Sequence, residues 1–221
     1  MIFVGILVLP TAVIPLVKAQ EGTIILNPTD DAYTDGNNYN SNYGSELELK
    51  TLGYGRYLTW LKFNLSTIPE GAFGITAILE LYTTLYGVTE PHDVVACLIL
   101  NNSWTEKTIT ANNCPNYIGS VELDTDYVAN DETWYEWLVT EAIVNATSNN
   151  ATAVTILMRW PWGLQTPTIS FTSKEASLTK LPKLTISWEG IIPEFPSFLI
   201  LPLFIIATVL AVIVYKRKHS K

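Results

Sequence analysis

The sequence predicts an all-β ectodomain, an antiparallel β-sandwich of jelly-roll type, followed by one C-terminal transmembrane helix. Three observations carry this expectation. Short runs rich in β-branched and aromatic residues follow one another with turn residues between them and no alternating helices. Several of these runs alternate in polarity with the period of a half-buried strand. A last run, Phe195 to Tyr215, carries no charge and is followed at once by Lys216, Arg217, Lys218 and Lys221.

The first strand is expected at 23-TIILN-27. After it, 30-DDAYTDGNNYNSNYG-44 reads as a polar loop, since Asn and Gly are turn formers. Strict alternation in 46-ELELKT-51 sets Leu47, Leu49 and Thr51 against Glu46, Glu48 and Lys50. In 57-YLTWLKFNL-65 both faces carry bulky groups, which predicts a central strand. Further strands are expected at 75-ITAILELYTTLY-86, 94-VVACLIL-100, 134-WYEWLV-139, 153-AVTILMRW-160, 168-TISFT-172 and 183-KLTISW-188. Pro69-Glu70-Gly71, Pro91, Pro115, Gly163 and Pro182 punctuate them. One helix of about two turns is expected at 139-VTEAIVNA-146. Trp60, Trp134, Trp137 and Trp188 fall inside strand patterns and are assigned to the core.

The two ends set the organisation. Residues 2–17 are almost wholly apolar and run into Val17-Lys18-Ala19, which reads as a signal peptide over 1–19, with an uncleaved N-terminal anchor as the alternative. The sandwich is assigned to 20–190, a short stalk to 191–196, a transmembrane helix to 197–215 and a basic cytoplasmic tail to 216–221. A helix from Phe195 to Tyr215 would be about 30 Å long, enough to cross the hydrocarbon core. The basic cluster keeps the tail in the cytoplasm and the domain outside.

All 21 acidic residues lie between Glu21 and Glu194, against eight basic residues in the same stretch, a net charge of −13. Such a field excludes nucleic acid as a partner and suits binding of cations. Cys97 and Cys114 are the only cysteines. In an oxidising compartment an even pair reads as one disulfide, worth about 3 kcal/mol in the chain-entropy model; two free buried thiols are the alternative. Sequons at Asn64, Asn101, Asn145 and Asn150 are glycosylation positions that agree with an outward-facing domain, Asn64 the less accessible for its apolar neighbours.

Catalytic patterns are wanting. His92 follows Pro91 and reads as a surface turn residue rather than a base; no nucleophile elbow, zinc helix or phosphate-cradling loop is present. With so many acids in the chain, a carboxylate pair suited to glycoside hydrolysis has no distinguishing signature. The polar loop tests poorly as a helix-loop-helix calcium site: Asp31, Asp35 and Gly36 fall in register, but Tyr33 and Asn42 occupy ligand positions. In 159-RWPWG-163, Trp160 and Trp162 flank a proline and would point to one side of an extended chain. They form a candidate platform for stacking sugar rings; the alternative is that they cap the core.

The pieces DDAYTDGNNYNSNYG, RYLTWLKFNLSTIPEGAFGITAILELY, SWTEKTITANNCP, TWYEWLVTEAIV and ISFTSKEASLTKLPKLTISW, in that order, resemble the DNRLRE-type domain grouped with carbohydrate-binding module family 96. The hexapeptide of that name is absent here. The resemblance implies a non-catalytic jelly-roll module that binds polysaccharide or a cell-envelope glycan, with a structural calcium near the first strand. Carried over residue by residue, it makes Asp31 and Asp35 calcium ligands, with Glu175 of SFTSKEAS a third. Some members are associated with acidic polysaccharides, an expectation the −13 charge opposes unless calcium bridges. The tail PEFPSF, apolar run and KRK are similar to an archaeal PEF-type sorting signal, which implies a sortase-like processing enzyme as a partner. Two other classes stay open: a structural or adhesion protein of the envelope, and a polysaccharide-degrading enzyme.

Overall fold

The computed structural model describes residues 21–53, 56–88, 90–161, 168–176, 179–191, 206 and 208–217. The stretch Glu21–Ile191 is one compact unit, and the two ends form a second that is taken by itself. The expected signal peptide lies outside the described residues, as do about half of the expected transmembrane helix and all of the expected stalk but Ile191, which pairs with Ala72 as part of the small sheet. Residues 208–217 are helical. No helix among the described residues is long and apolar enough to cross a membrane.

Among the described residues the compact unit has thirteen strands and one helix: β1 (Gly22–Leu26), β2 (Asp30–Asp35), β3 (Glu48–Thr51), β4 (Tyr57–Asn64), β5 (Ala72–Phe73), β6 (Thr76–Val88), β7 (His92–Ile99), β8 (Val121–Val128), β9 (Trp134–Leu138), α1 (Thr140–Ser148), β10 (Ala153–Arg159), β11 (Ile169–Thr172), β12 (Lys183–Trp188) and β13 (Gly190–Ile191). One sheet runs β1-β12-β6-β11-β3, with β9 also on β6; the other runs β2-β4-β10-β7-β8; β13 and β5 form a small pair. Every pairing is antiparallel. β4 lies between β2 and β10, as its two bulky faces predict.

The main core lies between the two sheets. Leu61, Phe63, Val94, Ala96 and Ile156 from one sheet meet Leu79, Trp137, Phe171, Leu184 and Ile186 from the other. These are alternate residues of their strands, so the period-two pattern is the direct cause of the layering. Trp137 donates its indole N–H to the Val94 carbonyl at 2.8 Å, tying the sheets polar group to polar group. The helix closes one end by burying Ala142, Ile143 and Ala146. It stops in a Schellman arrangement: Asn150 adopts φ 53°, Ala151 N donates to Ala146 O at 2.9 Å and Asn150 N to Thr147 O at 3.1 Å.

A second apolar cluster lies on the outer face of the five-stranded sheet. Residues 100–120 run across that face as a strap, seating Trp104, Ile109, Cys114 and Tyr117 on Ala32, Leu58, Trp60, Val95, Cys97 and Leu157. The strap is fastened at polar points as well. Trp104 donates to Thr155 Oγ1 at 3.0 Å, and Thr155 donates to Asn102 Oδ1 at 2.7 Å.

Several expectations need correction. The polar stretch 30–44 begins with a strand, β2, rather than a loop. β8, a run of alternating acids, and the two-residue strands β5 and β13 are not announced by the sequence pattern. Leu47 is exposed while Leu49 and Thr51 are buried. Trp60, Trp137 and Trp188 are buried, but Trp134 stands half-buried on the outer face of its sheet. The expected disulfide is not formed: Cys97 and Cys114 are both free thiols of the strap cluster. Burial pushes both thiols up, which leaves them poor nucleophiles. All four sequon asparagines are exposed, Asn64 included.

Candidate functional site

β2 reads DDAYTD, and its pairing with β4 sends alternate side chains to opposite faces. Asp31 points inward at the sheet edge and is 1% exposed. Two further carboxylates reach it from distant parts of the chain. Glu175 comes from the turn after β11, and Glu106 comes from the strap, around the edge of β2. One carboxylate oxygen from each of Asp31, Glu106 and Glu175 lies within 4.8 Å of the other two.

Each arm is held locally. Ser173 is fully buried, takes Glu46 O through its hydroxyl at 2.6 Å and Leu47 O through its N–H at 3.1 Å, and so fixes the turn that carries Glu175. Asp30, facing outward, accepts from Glu106 N at 3.2 Å and pairs with Lys62 at 3.0 Å. Burial opposes ionisation of Asp30, but Lys62 and the Glu106 N–H outweigh it and hold the carboxyl below its ordinary value. Asn42 donates to Glu106 O at 2.6 Å and to Ile109 O at 2.7 Å. Gly44 lies against the same carbonyl so closely that a Cβ there would be 2.0 Å from Glu106 O. The polar stretch 30–44 thus supplies one carboxylate of the group and the seat of a second.

The group is short of positive charge. Lys174 is its one cation among the described residues: its ammonium lies 2.7 Å from Glu106 and also contacts Glu175, and its backbone N–H donates to Asp31 Oδ2 at 2.8 Å. Burial alone would lower the Lys174 ammonium, but Glu106 and Glu175 push it well up, so it stays charged. Asp31 Oδ1 and Glu175 Oε2 are buried without a hydrogen-bond partner. Burial, then the charge of Glu175, push the Asp31 carboxyl up to about 8 against the pull of the Lys174 N–H. Three carboxylates against one ammonium leave room for a divalent ion, and an all-oxygen donor set suits calcium or magnesium.

Asp35 does not join this group. It also points inward, but four residues along a strand is about 13 Å. Its oxygens accept from Asn37 N at 2.8 Å and Asn38 Nδ2 at 2.6 Å, with Arg56 at 3.9 Å, so it closes the turn after β2. Glu106 was not foreseen; nothing near SWTEKT signals that its strap folds back on β2.

Of the two rings of the expected aromatic platform, the described residues include only Trp160, which is buried as in the core-capping alternative. Trp160 is 9% exposed, its ring centroid 3.3 Å from that of His92, and Trp162 lies outside the described residues. His92 is no surface turn residue: it opens β7 and is 7% exposed. Its Nδ1 faces Glu90 O at 2.8 Å, and burial lowers the imidazole to about 4. The unfolded chain binds this proton near 6.5, so stability is lost as pH falls from about 6.5 to 4. His92→Phe removes that slope. The free-energy difference between variant and wild type is expected to shift by about 2–3 kcal/mol in favour of the variant between pH 7 and 4.5. Urea titrations at the two pH values measure it. Asp31 titrates with the opposite sign in both proteins and cancels from the difference.

Comparison with curated proteins finds no relative that matches the chain. The model of carbohydrate-binding module family 96 matches residues 22–188, which span β1 to β12 and contain Asp31, Glu106 and Glu175, and the chain belongs to that family.

Proposed function

We propose that the chain is a non-catalytic, surface-anchored module of the DNRLRE type that binds polysaccharide, with a structural calcium between Asp31, Glu106 and Glu175. The family match over the whole sandwich supports the polysaccharide reading. The single observation that carries the calcium is the buried carboxylate group with its unpartnered Asp31 oxygen. Calcium there would supply the missing charge and fasten three elements at one point: β2, the strap and the turn after β11. The residues fit the ion in donor type; Lys174 would yield its place between Glu106 and Glu175. Its ammonium is on a flexible stem and can turn to solvent.

Anchoring rests on the uncharged run ending at Tyr215 and the basic residues after it. That tail spans the membrane, or a sortase-like enzyme of the PEF type removes it at the cell surface. The exposed sequons and the acidic surface suit an extracellular position.

The test is retention of the full chain, purified in a sugar-free detergent, on a panel of immobilised polysaccharides. Binding to at least one polymer is expected. Loss of retention on every polymer would favour the envelope structural protein instead.

A further inference from the structure

We propose that the glycan is read on the outer face of the six-stranded sheet, around Trp134, Lys183 and Glu80, and that it is a neutral polysaccharide. The inference rests on the module reading above and adds the place and the ligand class.

A sandwich has two outer faces. Here the strap closes that of the five-stranded sheet with its own apolar cluster. Among the described residues, the outer face of the six-stranded sheet carries exposed apolar side chains: Ile25 is 62% and Leu138 54% exposed. Register places its outward side chains in rows across the strands. Ile25, Thr185, Ile78 and Leu138 form one row. Lys183, Glu80 and Glu136 form the next. Tyr82 and Trp134 form a third, their rings edge to face at 5.3 Å, with Tyr82 buried and Trp134 half-buried. The rows are two residues apart and the strands about 4.8 Å apart, so neighbouring rows lie within the span of one sugar chain.

These rows match the two sides of a sugar. The C–H faces of a pyranose bury against Trp134, Ile78 and Leu138. Its hydroxyls both donate and accept, which a lysine–carboxylate pair satisfies at once. Lys183 lies 2.7 Å from Glu80 and 4.5 Å over the Trp134 ring. Thr185 donates to the other Glu80 oxygen at 3.2 Å. Held by Glu80, the Lys183 head can slide from the ring to a hydroxyl without losing its ion pair. Charge selects the class of ligand. Lys180 and Lys183 each face a carboxylate, Glu132 at 3.8 Å and Glu80, and Glu136 adds a further negative charge. Among the described residues, no surplus of positive charge stands here to draw a uronate chain toward an acidic domain.

Glu175 and Lys180 belong to the same connection between β11 and β12. Thr172, at the end of β11, bonds through its hydroxyl to the Lys180 carbonyl.

The full chain in a zwitterionic, sugar-free detergent is assayed by affinity electrophoresis against soluble β-glucan, glucomannan, xylan and galactan, and against alginate and polygalacturonate. Binding to a neutral polymer is expected, weakened at least tenfold by Trp134→Ala. Leu138→Arg, on an exposed side chain that the core does not need, is expected to weaken it as much at an unchanged thermal midpoint. Tyr127→Ala, an exposed ring on the other sheet, should bind as wild type. Neutral-polymer binding that survives both Trp134→Ala and Leu138→Arg overturns the face and leaves the module reading intact. Binding only to the uronate polymers overturns the ligand class. Binding to no polymer overturns the module reading itself.

Discussion

Calcium at a hundred times its dissociation constant is expected to raise the thermal midpoint of the chain by roughly 5–10 °C at pH 8, from about 2.7 kcal/mol of binding linkage in a domain of this size. The shift should shrink as the pH falls to 6.5. Burial holds the Asp31 proton up to about 8 in the ion-free protein, whereas the unfolded chain releases it near 3.9. The folded state therefore binds the extra proton between those values, and ion-free stability falls as pH rises through that window. From pH 6.5 to 8 the loss is about 2 kcal/mol. His92 is neutral in both states over most of that span and leaves it undisturbed. Calcium must expel the Asp31 proton to bind, so its affinity rises over the same span. Asp31→Asn tests the cause. It should abolish the calcium response and flatten the pH dependence, while the chelated variant at pH 8 is no less stable than chelated wild type. Equal midpoints in calcium and in chelator would remove the ion from the account. Scanning calorimetry at the two pH values reads all of this.

Much of the sandwich was legible because its strands obey the period of two. Runs such as KLTISW and YLTWLKFNL carry their inner face openly, and each of the runs expected as a strand forms one. Of the strands the pattern does not announce, β5 and β13 are only two residues long, while β2 and β8 break the usual link between acid and exposure. In β2, Asp31 and Asp35 point inward and are buried, so the pattern that marks a solvated loop is here the inward face of a strand. In β8, acids alternate along VELDTDYV and mask a strand that pairs with β7 along most of its length. Trp134 was a misreading the sequence itself could have prevented. Three residues from Trp137 on one strand, it must face the other way, so both rings cannot enter one core.

The site divides in the same manner. Asp31 and Glu175 were named from a family resemblance, and the fold brings them together. Asp35 was named with them because it is near in sequence, and strand geometry separates it. Glu106 had no local signal, since its place depends on where a long strap crosses the sheet edge. The disulfide failed for a related reason. A compartment argument gives two cysteines a motive to pair but says nothing of their geometry, and here both serve as small apolar groups beneath the strap.

Gly44→Ala is expected to destabilise the chain by about 2–4 kcal/mol and to remove most of its calcium response. A Cβ at this position would lie 2.0 Å from Glu106 O and 2.5 Å from its carbonyl carbon. Both are backbone atoms and cannot rotate aside, so the strap itself must move. Moving it breaks the two hydrogen bonds from Asn42, at 2.6 and 2.7 Å, that seat Glu106 and Ile109. It also carries the Glu106 carboxylate away from Asp31, and calcium bonds of 2.3–2.6 Å do not follow such a displacement. The strap cluster loses packing at the same time, above all where Trp104 and Ile109 cover Trp60. Gly119→Ala separates this effect from a general cost of replacing glycine. Gly119 has φ 79° and nothing within 4 Å of a built Cβ, so alanine there brings backbone strain of about 1 kcal/mol and no clash. That variant should lose a little stability and keep the whole calcium shift. Urea denaturation with and without calcium compares the two. A Gly44→Ala chain that retains the wild-type shift would show that the ion does not depend on Glu106, and would leave Asp31 and Glu175 to hold it alone.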